Sequence, residues 1–450
     1  MAGSVKVGGA WKTVSGASVK VGGAWKTVSA GYTKVGGAWK QWYSSGSYFF
    51  GVFNAGSAYE GLGNSVTSDS SGNIYWGTQE NGIPYLHKID SNGNLLQQRT
   101  FVGSQAAPRR LNVDSSSNLY FGAKTASGQA SFKVNSNLDV VWKKYIAVTA
   151  STYESAQVLT TGEVASTSTS NNSSYVNFKN SAGAFVRQRR YAIDDNYSSG
   201  KTKGLVAGPS GTVIQGAISW VGGATPYPSV FKWNNDGSLA WHRKSSTAEE
   251  NNYFSMEALS CDASGNVHIL TQVSGGTGGV GYLSKFDTNG TLQWSVGMSG
   301  GVTAKAVSVD TNGDAYIYAT WQPNGSYLSA AILKFNSAGT LQWQRDLRWG
   351  GASRLVASDI HVNGSSFIVT TQTQQGTPKS AIARLPKDGT KTGTYTVAGV
   401  SVVYGASTIT IGGGVGWNTG SGATSSETVT VSDDPTTYST TSTAISKVVI

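Results

Sequence analysis

The feature that most limits how this chain can fold is a two-part pattern that returns seven times between about residues 60 and 398. The first half is an apolar residue, often an Asp, a Ser/Gly/Asn turn and an apolar strand. It reads VTSDSSGNIYWG from Val66, LNVDSSSNLYFG from Leu111, LSCDASGNVHIL from Leu259 and VSVDTNGDAYIY from Val307, with looser copies from Val158, Leu205 and His361. Its turn residues, Gly72, Ser117, Gly162, Gly211, Gly265, Gly313 and Gly364, follow one another at intervals of 45 to 54. A second half follows each first, as in LHKIDSNGNLLQ, FKWNNDGSLAW, LSKFDTNGTLQW and LKFNSAGTLQW. Each half is two strands joined by a turn, so a period holds four strands. Four-stranded units repeating at about 40–50 residues are the mark of a β-propeller, not of a solenoid with its shorter period. The expected fold is therefore all-β: a propeller of about seven blades over residues 46–398, a three-hairpin arm over 1–45, and a small C-terminal β extension over 399–450. The extension alternates like β structure without the paired half-motifs, and ring closure, a partial eighth blade and a separate β element all stay open for it.

Within the blades, Asp69, Asp114, Asp262 and Asp310 stand three residues before the turn glycine or Ser117. An Asp there accepts backbone N–H groups and holds the turn, which is the expected role. Asp310-Thr-Asn312-Gly-Asp314 resembles the opening of a calcium loop, but the downstream bidentate Glu is missing, so no metal is expected. Trp142, Trp241, Trp294 and Trp343 lie four residues past the second turn, where a large ring can seal one blade against the next.

The arm carries its own repeat: SVKVGGAWKTVS from Ser4 and again from Ser18, then YTKVGGAWKQW from Tyr32. Two central glycines suit a tight hairpin turn, which sets Val7 opposite Ala10, Lys6 opposite Trp11 and Val5 opposite Lys12. A lone two-stranded hairpin is marginal in water, and these would expose Trp11, Trp25 and Trp39 beside Lys6, Lys20 and Lys34. The arm is expected to need a partner, and these six residues are its candidate anchoring and self-association positions.

Two resemblances follow. The blades, through Asp69–Tyr75 and Lys285–Trp294, resemble the bacterial β-propeller repeat family, whose fold says little about activity. The arm units resemble the short KVGG-x-W repeats of tail and virion structural proteins of tailed bacteriophages. That resemblance implies a structural phage component, tail-associated, made in the host cytoplasm and located in the virion. Its implied partners are other virion proteins, sister copies in a homo-oligomer (a trimer by analogy with fibres) and a host-surface glycan.

Composition narrows the chemistry. A single cysteine, Cys261, excludes an intrachain disulfide and multi-Cys metal sites, and four histidines leave little for His-based ones. The net charge is +10, of which six lysines without an acid in residues 1–42 supply +6. Because those lysines are single and evenly spaced, neither nucleic acid nor membrane is expected as a partner. No apolar run approaches the roughly 18 residues that span a bilayer. No GxSxG, P-loop, HExxH or strand–helix GxGxxG appears, and no cofactor is expected. Adjacent acids Asp194-Asp195 and Glu249-Glu250 read more simply as solvated loop charges than as a catalytic pair, so an enzyme is disfavoured, with a virion-associated glycan depolymerase as the alternative. The candidate ligand-binding residues are aromatic and polar groups between the half-motifs: Trp220 and Tyr227, then Trp321, Asn324 and Tyr327. The cluster Arg187, Arg189 and Arg190 reads as a solvated strand that can also meet acidic glycan.

Overall fold

In the computed structural model the seven repeats form seven antiparallel sheets arranged as a propeller. Residues 48–419 are described apart from the connections 54–64, 81–82, 102–107, 126–127, 147–154, 171–172, 193–200, 222–224, 247–252, 275–278, 324–327, 350–354 and 374–378. Beyond them the strand backbones within 4–44 and 423–449 are described. The first strand of each blade is the innermost: Ser65–Ser68, Arg109–Val113, Ala156–Val158, Lys201–Ala207, Tyr253–Cys261, Val302–Val309 and Leu355–Asn363. Each of these touches the next, and the last touches the first, so the ring is closed around an axis.

Local sequence explains both turns of each blade. In the first, Asp69 Oδ1 accepts the amides of Ser71 and Asn73, and its Oδ2 accepts the Asn73 side-chain amide and the Tyr75 hydroxyl. The Gly72 amide returns to the Asp69 carbonyl, and Gly72 sits at φ 80°, a left-handed conformation that costs glycine nothing. Asp114 repeats this arrangement with Tyr120, Asp262 repeats it without a hydroxyl partner, and Asp310 adds an ion pair of 2.5 Å to Lys387. The Asp310 carboxylate thus accepts two turn amides through Oδ1 and pairs with Lys387 through Oδ2. The second half-motif builds the same turn on Asp90, Asn135, Asn180, Asp287 and Asn336.

That second turn is also where blades meet. A Cβ added at Gly183, Gly290, Gly339 or Gly389 would lie 2.7–2.9 Å from the indole of Trp142, Trp241, Trp294 or Trp343 of the preceding blade. Only a glycine lets the ring lie flat on the turn. The indole N–H groups of Trp142, Trp241 and Trp294 donate to the turn carbonyls of Ser181, Thr288 and Ser337. Lys232, Lys285, Arg243 and Arg345 reach carbonyls of the same turns. On the third blade Arg187 stands in the tryptophan's register position, opposite Phe178, and donates to the Asn235 carbonyl, while Arg189, in the place of Arg243 and Arg345, holds the carbonyls of Gly237 and Asp236. Arg187 pairs with both carboxylate oxygens of Glu163 at 2.8 Å and covers the Phe178 ring. Those two arginines of the basic cluster are therefore joined to neighbouring structure.

Closure comes from the other end of the chain. Phe49–Phe53 supplies the outer strand of the seventh blade, pairing Val52 with Ala381 and Phe50 with Ala383. Its Phe49 ring packs on Gly93 of the first blade, in the place that tryptophans hold elsewhere. The extension resolves into a belt. After Gly393–Val397 and Val400–Ala406 on the sixth blade, its strands add to the fifth, fourth, third, second and first blades in turn, and Ile445–Val449 pairs with Phe49–Phe53. Every blade thereby gains an extra strand outside the four of its repeat.

The arm consists of three separate two-stranded hairpins. Their registers pair Val7 with Ala10, Lys6 with Trp11 and Val5 with Lys12, then Lys20 with Trp25 and Lys34 with Trp39. The side chains of these residues lie outside the described ones.

The blade contact yields a prediction. Trp241 is 8% exposed and bridges two blades, so Trp241→Ala should cost about 3–5 kcal/mol in urea denaturation. A cost within about 0.5 kcal/mol of wild type, the range of ordinary surface changes, would show that the contact is incidental.

Candidate functional site

The inner strands carry an irregularity that sequence inspection missed. In five of the seven blades the register slips within the first strand, between Arg109 and Asn112, Thr202 and Gly204, Met256 and Ala258, Ala304 and Ala306, and Ala357 and Asp359. Each slip is a β-bulge, which kinks a strand and re-aims a side chain. At the slips stand Arg110, Lys203, Glu257, Lys305 and Ser358. Four of the five are ionisable, in a chain with 13% charged residues. Only pairwise register reveals this ring; no motif announces it.

The buried neighbours show where these residues face. Met256 and Ala258 are 0% and 1% exposed, Ala304 and Ala306 0% and 2%, whereas Glu257 and Lys305 between them stay half-buried. Inner strands touch one another around the ring, and the reach of Arg110 to the Glu257 backbone places those two bulges on its axial side. Arg110, held at φ 51°, extends from the second blade to the fifth, where its Nη2 donates to the Glu257 carbonyl at 2.8 Å. A Cβ on Gly204 of the fourth blade would sit 3.5 Å from that Nη2. Four blades thus converge through one guanidinium, because Asp359 of the seventh also feels its charge. Asp359 accepts the Ser65 hydroxyl and the Val66 amide at 3.0 Å each, and the Ile360 amide at 2.9 Å. Burial pushes its carboxyl above the ordinary value, against the opposing pull of Arg110 and these donors. Glu257 accepts the Ser255 hydroxyl. Lys305 makes no hydrogen bond or ion pair among the described residues.

The earlier candidates fall elsewhere. Trp321 is 6% exposed, packs in the core of the fifth and sixth blades, and donates its indole N–H to the Gly300 carbonyl at 3.1 Å. This corrects its assignment as a ligand-binding aromatic. Trp220 and Tyr227 belong to the paired strands Val213–Val221 and Thr225–Trp233, opposite Pro226 and Ser219, not to a loop as expected. Tyr227 is half-buried. Asn324, Tyr327, Asp194, Asp195, Glu249 and Glu250 lie outside the described residues. Among the described residues no group of three His, Cys, Asp or Glu could hold a metal ion.

No family model and no curated protein matches the chain. Solved structures do. A polysaccharide lyase of family PL25, an ulvan lyase bound to -[GlcA(1-4)Rha3S]-, superposes with TM-score 0.53 at 10% identity over 73% of this chain and 94% of its own. The polysaccharide lyase Uly1 gives TM-score 0.49 at 8% identity over 74% of this chain and 92% of its own. At such identity the likeness is one of fold. It nevertheless corrects the expectation that the chain is not an enzyme. Polysaccharide lyases are built on the fold it shares, so the want of a familiar motif does not exclude catalysis.

The buried imidazoles give a pH prediction. Burial lowers His268 and His361 to about 4 and His87 to about 3, and no hydrogen-bond partner meets either ring nitrogen of His268. Their folded values lie below the unfolded 6.5, so the stabilisation is complete above about pH 6.5 and is lost as pH falls from there toward about 4. Each contributes at most about 1.4 kcal/mol per pH unit in that window. Denaturant midpoints should fall between about pH 7 and pH 5, and less steeply in His268→Leu. Equal stability at both pH values would contradict these burial effects.

Proposed function

We propose that the chain is a component of a tailed-phage particle, tail-associated, that docks through its hairpin arm and turns its propeller toward a host-surface glycan. The observation that carries this reading is the arm. Three near-identical units each pair as a two-stranded hairpin with Lys opposite Trp, a structure too small to be stable on its own. A repeated element of this kind gains by burying tryptophan, at about 2–3 kcal/mol each from area alone, against sister copies or another virion protein. A trimer would align three arms around one axis.

Deleting residues 1–42 spares the closing strand Phe49–Phe53, so the ring should still unfold cooperatively. The truncated protein should sediment as a monomer and be missing from purified particles by mass spectrometry. Unchanged self-association together with normal incorporation would overturn the docking role.

A second reading, a virion-associated glycan depolymerase, is favoured by the lyases that share the fold. Under it, the protein shortens host polysaccharide and creates new chain ends. The amide variants at Asp194-Asp195 and Glu249-Glu250 then report whether those acids take part. Polysaccharide recovered at full length would remove this reading and leave the binding role.

A further inference from the structure

We propose that the hairpin arm of one copy packs on an arc of three exposed apolar residues, Leu96, Val141 and Val186, on the first three blades of a second copy. The proposal deepens the self-association part of the reading above and rests on it for the arm's need of a partner. The receiving surface rests on the ring alone.

In the first six blades the fourth strand has a register slip of its own, just after the second turn. The residue left over at the slip is Leu96, Val141, Val186, Ala240, Gln293 and Gln342, in blade order. Such a bulge residue has no partner across the ladder, and its side chain is re-aimed. In the fifth and sixth blades the glutamine folds back on its own turn. Gln293 donates to the Thr291 carbonyl at 3.2 Å and to the Asp287 carboxylate at 3.3 Å, and Gln342 to the Thr340 carbonyl at 3.2 Å. An aliphatic side chain has no such use for the turn, and Leu96, Val141 and Val186 stand 54%, 52% and 45% exposed. The belt stops short of them, pairing at Arg99–Thr100, Lys144–Ile146 and Arg190–Ala192. Single exposed apolar residues are ordinary, but three at one register position of consecutive blades form a surface.

The arm suits this surface in pattern and in place. Successive residues of a strand alternate in face, so the register of the first hairpin puts Val5, Val7 and Ala10 on one side and Lys6 and Trp11 on the other. Val19, Val21 and Ala24 repeat the apolar side in the second hairpin, and Val35 and Ala38 in the third. Three linked apolar sides thus meet three apolar bulges. Packed sheets lie about 10 Å apart, and a 14-residue unit is long enough to cross that step. The arm joins the ring at Phe49, whose side chain lies on Gly93, three residues before Leu96. Root and arc therefore adjoin, and two copies that meet there can exchange arms reciprocally. Linkage lets contacts that are weak singly hold together as a set. The Lys and Trp side of each hairpin stays free for a virion partner.

The test uses the full chain, with sedimentation velocity over a concentration series. Leu96→Gln, Val141→Gln and Val186→Gln together copy the residue found at the same bulge in the fifth and sixth blades. They should keep the thermal midpoint and weaken self-association at least tenfold, and each alone should weaken it less. A second measurement leaves the arc otherwise intact: chains with a benzoylphenylalanine cross-linker at position 141 are co-incubated with isotope-labelled chains. Cross-linked peptides should join that position to arm residues of the labelled chain. A monomeric full chain, unchanged association in the triple variant, or cross-links confined to one chain would each overturn the contact. If deleting residues 1–42 abolishes association while the triple variant leaves it untouched, the arm reading survives and the arc fails. If the triple variant weakens association but arm-deleted chains still enter particles, the arc stands and docking to the particle through the arm falls.

Discussion

The ring depends on one contact: the flat face of a tryptophan laid on the turn glycine of the next blade. The glycine has two tasks there, since its left-handed φ closes the turn and its missing side chain leaves room for the indole. Because the indole N–H and nearby Lys and Arg groups also bond the same turn, strand reversal and blade packing are fixed by one short segment. Where tryptophan is absent, Phe49 lies on Gly93, Arg187 donates to the Asn235 carbonyl, and Gln97 donates to the Asn137 carbonyl beside Leu138, so the joint tolerates different chemistry on both sides.

This dependence explains what could be read from the residues. Asp, Gly and Trp at fixed spacing report a turn and its packing directly, and the hairpin pairing of Lys6 with Trp11 follows from two central glycines. Other features have no local signature. The belt strands are short, as in Ala423–Ser425 and Val431–Asp433, and their pairing partners lie in distant blades. The closing strand FFGVF carries no motif, since its partners are set by the topology of the whole ring. Arg110 and Lys305 look like ordinary strand charges until register shows that both stand at slips. Trp321 was misread because a Trp beside Gln-Pro-Asn-Gly suggests a loop, whereas the strand reaches it and turns it inward.

The scaffold and the site answer to different constraints. Carboxylates at the turns hold backbone amides, whereas the imidazole of His268 is buried among the sheets with both ring nitrogens unpartnered. On the inner strands, bulges place Arg110, Lys203, Glu257 and Lys305 at register slips. The fold is shared with a polysaccharide lyase at 10% identity, a likeness of architecture alone.

The belt also sets an order in time. Phe49–Phe53 emerges early in synthesis, but its partners at residues 379–386 and 445–449 follow more than three hundred residues later. Until then the first blades hold their shape with outer edges bare and the seam open, a state in which chains can pair with one another instead of with themselves. Pairing with residues 379–386 closes the seam, and residues 445–449 then cover the free edge of Phe49–Phe53. Closure of the ring therefore waits on residues 379–386 and 445–449, and a nascent chain short of them is the species most exposed to misassociation.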